Sequence, residues 1–216
     1  MGAKSAVPAC ADGAVGGLLA DAAEADRERT AALVGRTRPG RRCEEDGEEP
    51  WFLADAVHPP EGTVCALSVP GLDLVCDRDV MIGRPSRLPA HLVAAGRGRR
   101  LCLHAVHSGG DRPAFALWED GRLVRSLSLS PDEGVIEDIG DRLPFERAYW
   151  DGRHPVRPDA PDAEPYALPF HPLDLKERAL LEFFGFHLEG CAGGEDVPEP
   201  VVDVFGTRLW GYRISG

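Results

Sequence analysis

Residues 114–119 (AFALWE) and 122–130 (RLVRSLSLS) flank the dipeptide Asp120-Gly121, and the reading of this stretch decides the fold. Two alternating segments joined by Asp-Gly predict a two-residue β-hairpin, because both turn positions need a positive φ that this pair tolerates. An antiparallel pair therefore sits near the middle of the chain. Its register is open: Leu127 and Leu129 share a face with either Val124 or Arg125, and a slip of one residue turns every side chain over.

Upstream, RLCLHAV (100–106), TVCALSV (63–69) and LDLVC (72–76) have strand character, and a helix is expected over 88–96 with Pro89 in its first turn and Gly96 past its end. AKSAVPACA (3–11) has the composition of a strand, but Pro8 lacks a ladder donor, which predicts an edge strand, a bulge or a degraded strand. The segment 15–37 is helical by period, as two helices or as one broken near Ala25–Arg27; 39–50 reads as an exposed acidic loop, and 51–55 as a helical turn or a strand start. Downstream, the proline- and aromatic-rich 141–172 predicts an irregular segment packed over the sheet. Asp174 is placed to cap a helix over 175–184 that ends at Gly185, and 201–213 adds a last strand. The expected fold is α+β: one domain over 1–216 with a mixed or largely antiparallel sheet flanked by helices.

Composition narrows the function. The 216 residues carry 36 acidic against 24 basic side chains, a net charge of −12, which disfavours nucleic acid and anionic membranes as partners and favours a small molecule or a basic protein. Nearly all the basic residues are arginine, a pattern of GC-biased coding. The six cysteines show no CxxC spacing, and no signal-like or membrane-spanning segment is present. These features predict a soluble cytoplasmic protein with reduced, mostly buried thiols, and give no reason to expect a bound metal or cofactor. Oligomeric state is not encoded in any pattern.

Three groups of residues carry chemistry. His104 and His107 lie near the end of a strand and suit a proton donor and acceptor, although i and i+3 on a strand point to opposite faces. Asp77 and Asp79, in Asp-Arg-Asp, match carboxylates that hold a divalent metal and phosphate, or that cap a turn and pair with arginine; no phosphate-cradling loop accompanies them. Glu137-Asp138, after the return strand, offers a carboxylate whose pKa burial can raise, or a solvated turn.

ADG (11–13), PGLDLVCDRDVMIGRPSRLPAHL (70–92), LHAVHS (103–108), FALWEDGRLVRSLSLSPDEGVIEDIG (115–140) and LPFHPLDL (168–175) together resemble a family of actinobacterial hypothetical proteins known only as a domain of unknown function. The resemblance implies no activity and transfers no catalytic residue. Pro8, Ala14 and the polar Gly109–Pro113 depart from the family's pattern and suggest a diverged paralogue.

The resulting expectation is a small-molecule enzyme of specialised metabolism doing redox-independent acid–base chemistry (cyclisation, isomerisation, elimination or hydrolysis). Its candidate catalytic residues are His104, His107, Asp77, Asp79 and Glu137. The alternative is a non-catalytic acidic domain that binds or regulates a protein partner. A metal-dependent phosphotransferase rests on Asp77-Arg78-Asp79 alone.

Overall fold

The structure, a computed structural model, describes residues 4–22, 24–107, 111–156, 167–191 and 197–216, with only the backbone of His107. In chain order its elements are β1 (Ser5–Ala11), α1 (Val15–Ala20), α2 (Arg27–Thr37), β2 (Arg42–Glu45), β3 (Trp51–Phe52), α3 (Leu53–Ala56), β4 (Thr63–Val69), β5 (Leu72–Cys76) and α4 (Ala90–Ala95). There follow β6 (Arg100–His107), β7 (Arg112–Glu119), β8 (Arg122–Ser130), β9 (Gly134–Ile139), α5 (Arg147–Trp150), α6 (Pro172–Phe184) and β10 (Arg208–Ser215).

The Asp120-Gly121 hairpin forms as expected, with φ of 51° and 73° at the two turn residues. The open register is resolved by a bulge: Leu117 pairs with Arg125 and Trp118 with Leu123, so Val124 is an extra residue. Arg125 therefore shares a face with Leu127 and Leu129, while Ser126, Ser128 and Ser130 share the other.

From this hairpin the sheet grows to ten strands in the order β2-β10-β4-β5-β1-β6-β7-β8-β9, with β3 also on β10. Every pairing is antiparallel. β1 is central, not an edge strand. It is paired with β6 over its full length, but with β5 only from Ala9 to Ala11. Ala6 turns its N–H and C=O toward the β5 side, bonding Val57 O and Asp77 N (both 2.9 Å). By strand alternation Pro8 turns the same way. Its missing donor thus falls where the β5 ladder has not yet begun, which is how the sheet interior accepts it. The 39–50 region is likewise not all loop: its residues 42–45 form the edge strand β2 on β10.

Helices cover both faces. On one face α6 lays Leu175 and Ala179 against Phe115, Leu127 and Leu129, and α1 crosses α6 where Gly16 meets Gly185 so closely that a Cβ on Gly16 would lie 2.9 Å from Gly185 backbone. The α6 cap is His171, whose Nδ1 accepts from Leu173 N at 3.2 Å, rather than Asp174; Gly185 in the left-handed region (φ 77°) ends the helix. On the other face lie α2, capped by Asp26 on Arg29 N (2.9 Å), and the segment 77–96, whose Val80 and Leu88 pack on Leu101, Leu103, Ala116 and Trp118. His91 Nε2 lies 3.2 Å from Thr37 O and joins the two. Within the expected cover segment, 144–150 is a 3-10 turn followed by α5, and Phe145 and Tyr149 pack with α6; 157–166 lie outside the described residues.

Candidate functional site

The register fixes where the sequence candidates stand. Asp77 bonds Ala6, and Ala6 lies in one row with Ala105, Ala114, Ser128 and Glu137. Asp77 and Glu137 thus share a face and an end of the sheet, but five strand spacings separate them, about 24 Å. His104 belongs to the next row (Val7, His104, Phe115, Leu127, Asp138) and faces the opposite side. The sheet itself stands between the imidazole and the two acids, so these groups do not converge. β6 runs unbroken through His107, whose side chain lies outside the described residues.

Each described candidate is held by specific partners. His104 is 1% exposed beneath α6. Its Nε2 sits 3.0 Å from the Lys176 carbonyl, which can only accept, so Nε2 carries the proton and Nδ1 accepts from Ser5 Oγ at 2.8 Å. Burial pushes its pKa down to about 4, outweighing the Lys176 carbonyl and the Glu177 carboxylate, which favour the charged ring. The imidazole is neutral and both nitrogens are engaged.

Asp77 accepts from Asp79 N at 2.9 Å, starting the 3-10 turn Arg78–Val80, and its other oxygen takes Arg38 Nη2. Arg38 Nη1 reaches the exposed Asp79 at 3.1 Å. A guanidinium therefore lies between the two carboxylates at the place the metal reading assigns to a cation. Among the described residues no group of three or more His, Cys, Asp or Glu side chains is placed to hold a metal ion.

Glu137 is inside β9, paired with Ser128, not in a turn after the hairpin. Ser126 Oγ donates to one oxygen together with Ser86 N (3.0 Å), and Ser86 Oγ donates to the other at 2.6 Å. Burial alone raises a carboxyl pKa, but here the hydrogen bonds from Ser126 and Ser86 outweigh it and hold Glu137 below the usual carboxylate range.

Asp77 and Glu137 thus bound one structural unit. Between Asp77 and Ser86 the chain crosses the sheet face as a strap, and nine residues reach at most about 30 Å, enough for the roughly 24 Å between the two acids. Arg38 fixes one end and Ser86 on Glu137 the other. Small residues beneath (Ala6, Ala105, Ala114, Ala116) let it lie close to the sheet.

A residue that sequence reasoning did not assign is Arg125. It is 0% exposed, with Nε on Glu146 Oε1 (2.8 Å), Nη2 on Glu146 Oε2 (2.6 Å) and Nη1 on Asp138 and on the carbonyls of Ile139 (3.0 Å) and Gly140 (3.2 Å). This bidentate clamp ties β8, β9 and the 144–146 turn together. Its signal was the unresolved register of β8. A polar cleft of about 550 Å³ at Asp12–Ala14 and Gly98–Arg100 is similarly closed on itself, since Arg99 binds Asp12 (2.8 Å) and Asp73 (2.7 Å). All six cysteines are free thiols, and four of them are buried.

Ionisable side chains meet open space elsewhere. A groove of about 740 Å³ lies between α3 with the following Val57-His58 and the segments 186–188 and 200–205, with Lys4 at its lip. Ala6 N on Val57 O brings α3 against the start of β1. Phe186, Leu188, Val202, Val204 and Phe205 supply apolar walls; Asp55, His58, His187 and Asp203 stand among them. His58 and His187 are half-buried, and Asp203 Oδ1 accepts from Phe205 N at 2.9 Å, which shapes the turn that presents Phe205. Phe205 and neighbouring Val201 are 71% and 60% exposed. In the sequence His58 is only part of a turn and His187 only follows a helix; no spacing links them.

The profile of a protein family described as "Family of unknown function (DUF6928)" matches residues 6–206. The chain belongs to this family. No curated protein and no solved structure matches the chain. No helix among the described residues is long and apolar enough to cross a membrane.

Proposed function

We propose that this member of the family acts on a small, largely apolar molecule seated in the groove between α3 and residues 186–205, by acid–base chemistry that needs no redox cofactor. The observation that carries this reading is that the groove combines apolar walls with two half-buried imidazoles and two exposed carboxylates, the arrangement typical of small-molecule sites. Imidazole is the side chain best suited to exchange protons near neutral pH, so His58 and His187 are the candidate proton carriers, with Asp55 and Asp203 beside them. The reading moves the chemistry away from His104, Asp77 and Glu137, whose polar atoms are already engaged, and leaves Asp79 and His107 without a described place in it.

The test is incubation of the purified protein with a metabolite extract from source cells lacking the gene, followed by mass spectrometry of what is retained or consumed. An Ala54→Trp variant, filling the groove and checked for fold by circular dichroism, is run beside it. The reading expects compounds taken by the wild type and spared by the variant. Identical behaviour of the two proteins, or no compound taken by the wild type, overturns it.

A further inference from the structure

Among the described residues the large apolar side chains that remain exposed fall in two places: Phe205 in the groove with Val201 beside it, and Val124 (37%), Val135 (45%) and Ile139 (42%) at the β8–β9 margin of the sheet. β9 ends the strand order, and no strand among the described residues pairs with its outer side. Such a margin presents a row of backbone donors and acceptors to any extended chain. The opposite edge, β2, offers no comparable apolar side chain; its sequence is Arg-Cys-Glu-Glu, with Arg42 paired to Glu44.

The chain of β9 itself is acidic, while the arginines near it are taken up by Glu133, Glu137 and Asp138 (Arg112, Arg84 and Arg125) or, for Arg142, stacked on Trp150. Residues 131–141 (PDEGVIEDIGD) contain five carboxylates and no basic residue. Glu137 and Asp138 are engaged by the serines and by Arg125, and Glu133 by Arg112. Asp132 and Asp141 stand exposed at the two ends of the strand, outside Val135 and Ile139. Reading along the edge, the pattern is acidic, apolar, apolar, acidic.

We propose that the outer edge of β9 takes an added strand from a partner protein: an extended segment, apolar at its centre and basic at both ends. Backbone pairing supplies the attachment and the flanking charges the choice of partner. A second copy of this chain fits worse. Antiparallel self-pairing about Glu137 sets Glu133 against Asp141 at both ends, and like charges directly opposite are destabilising. Nor can it pair the apolar side chains, since Val135 lies with Leu129 on the α6 face and Ile139 with Ser126 on the strap face. The bulge at Ile136, which has no counterpart between the Leu129–Val135 and Ser128–Glu137 pairs, also keeps the straight part of the edge short. This surface is separate from the groove and stands whether or not the groove reading does.

The test uses a fluorescent nine-residue peptide with Lys-Arg ends and a five-valine centre, apolar on both faces of the strand as Val135 and Ile139 require, and a second peptide with Glu at the ends. Anisotropy is expected to show the basic peptide binding about tenfold more tightly, with the advantage shrinking at high salt. Hydrogen exchange of the full chain is expected to slow at 135–139, and Val135→Lys and Ile139→Lys each to weaken binding several-fold without changing the melting temperature. Equal affinity for the two peptides, protection elsewhere, or light scattering that shows dimerisation through β9 overturns the proposal.

Discussion

Two regions concentrate the ionisable groups of this protein and use them in opposite ways. In the 76–140 block, Asp77 is closed on Arg38, Glu137 on Ser86 and Ser126, His104 on Ser5 and the Lys176 carbonyl, and Arg125 on Glu146 and Asp138. In the groove, half-buried His187 and exposed Asp55 have no hydrogen bond or ion pair among the described residues. Dense charge in a strand-rich segment became the fastening of the fold. The groups that face open space come instead from three separated segments. A buried polar group must be satisfied or it destabilises the fold, so a charged block built into a sheet core is consumed by its own structure.

That contrast breaks most easily at Arg125. Replacing it with Met leaves Glu146, itself 0% exposed, as an unpaired buried carboxylate. Denaturant unfolding is expected to show a loss of about 3–5 kcal/mol; a loss under 1 kcal/mol refutes the clamp.

His104 gives the next effect, through pH. Its pKa is lowered from 6.5 to about 4 in the folded chain, chiefly by burial. Between those values the unfolded chain binds a proton that the folded chain does not, so stability is full above about pH 6.5 and falls as the pH drops toward 4. The loss attributable to this group is roughly 3 kcal/mol. Stability measured across this window should show a shallower slope for His104→Gln than for the wild type; parallel curves count against a neutral, buried imidazole.

The strap sharpens the comparison further. Ser86→Ala removes one of the donors holding Glu137 and should lower stability by about 1 kcal/mol while speeding amide exchange across 78–88. Phe205→Ser, on the open side of the molecule, is expected to stay within about 0.5 kcal/mol. If Ser86→Ala leaves exchange in the strap unchanged, Glu137 is not its fastening.

Much of the architecture follows from local chemistry. Asp120-Gly121 specified its hairpin because few dipeptides accept two positive φ values, and TVCALSV and LDLVC became β4 and β5 with the expected bounds. α2 emerged from period alone and α6 from period and its terminal glycine, although the α6 cap moved from Asp174 to His171. Pro8 misled, because a proline is excluded from a sheet interior only where its missing donor is needed. β2 and β9 were not anticipated as strands: short, charged edge strands lack the alternation that a buried face imposes.

The sequence by itself determined an acidic chain, an antiparallel hairpin core and helices marked by their apolar period, since these depend on neighbours a few residues apart. Only the tertiary structure decided that His104 and Glu137 lie on opposite faces, that Asp77 and Glu137 fasten one strap, and that Asp55, His58, His187 and Asp203 share a groove. Those outcomes depend on strand order and on the bulge at Val124, set by packing between segments up to a hundred residues or more apart, for which a single sequence carries no local signal.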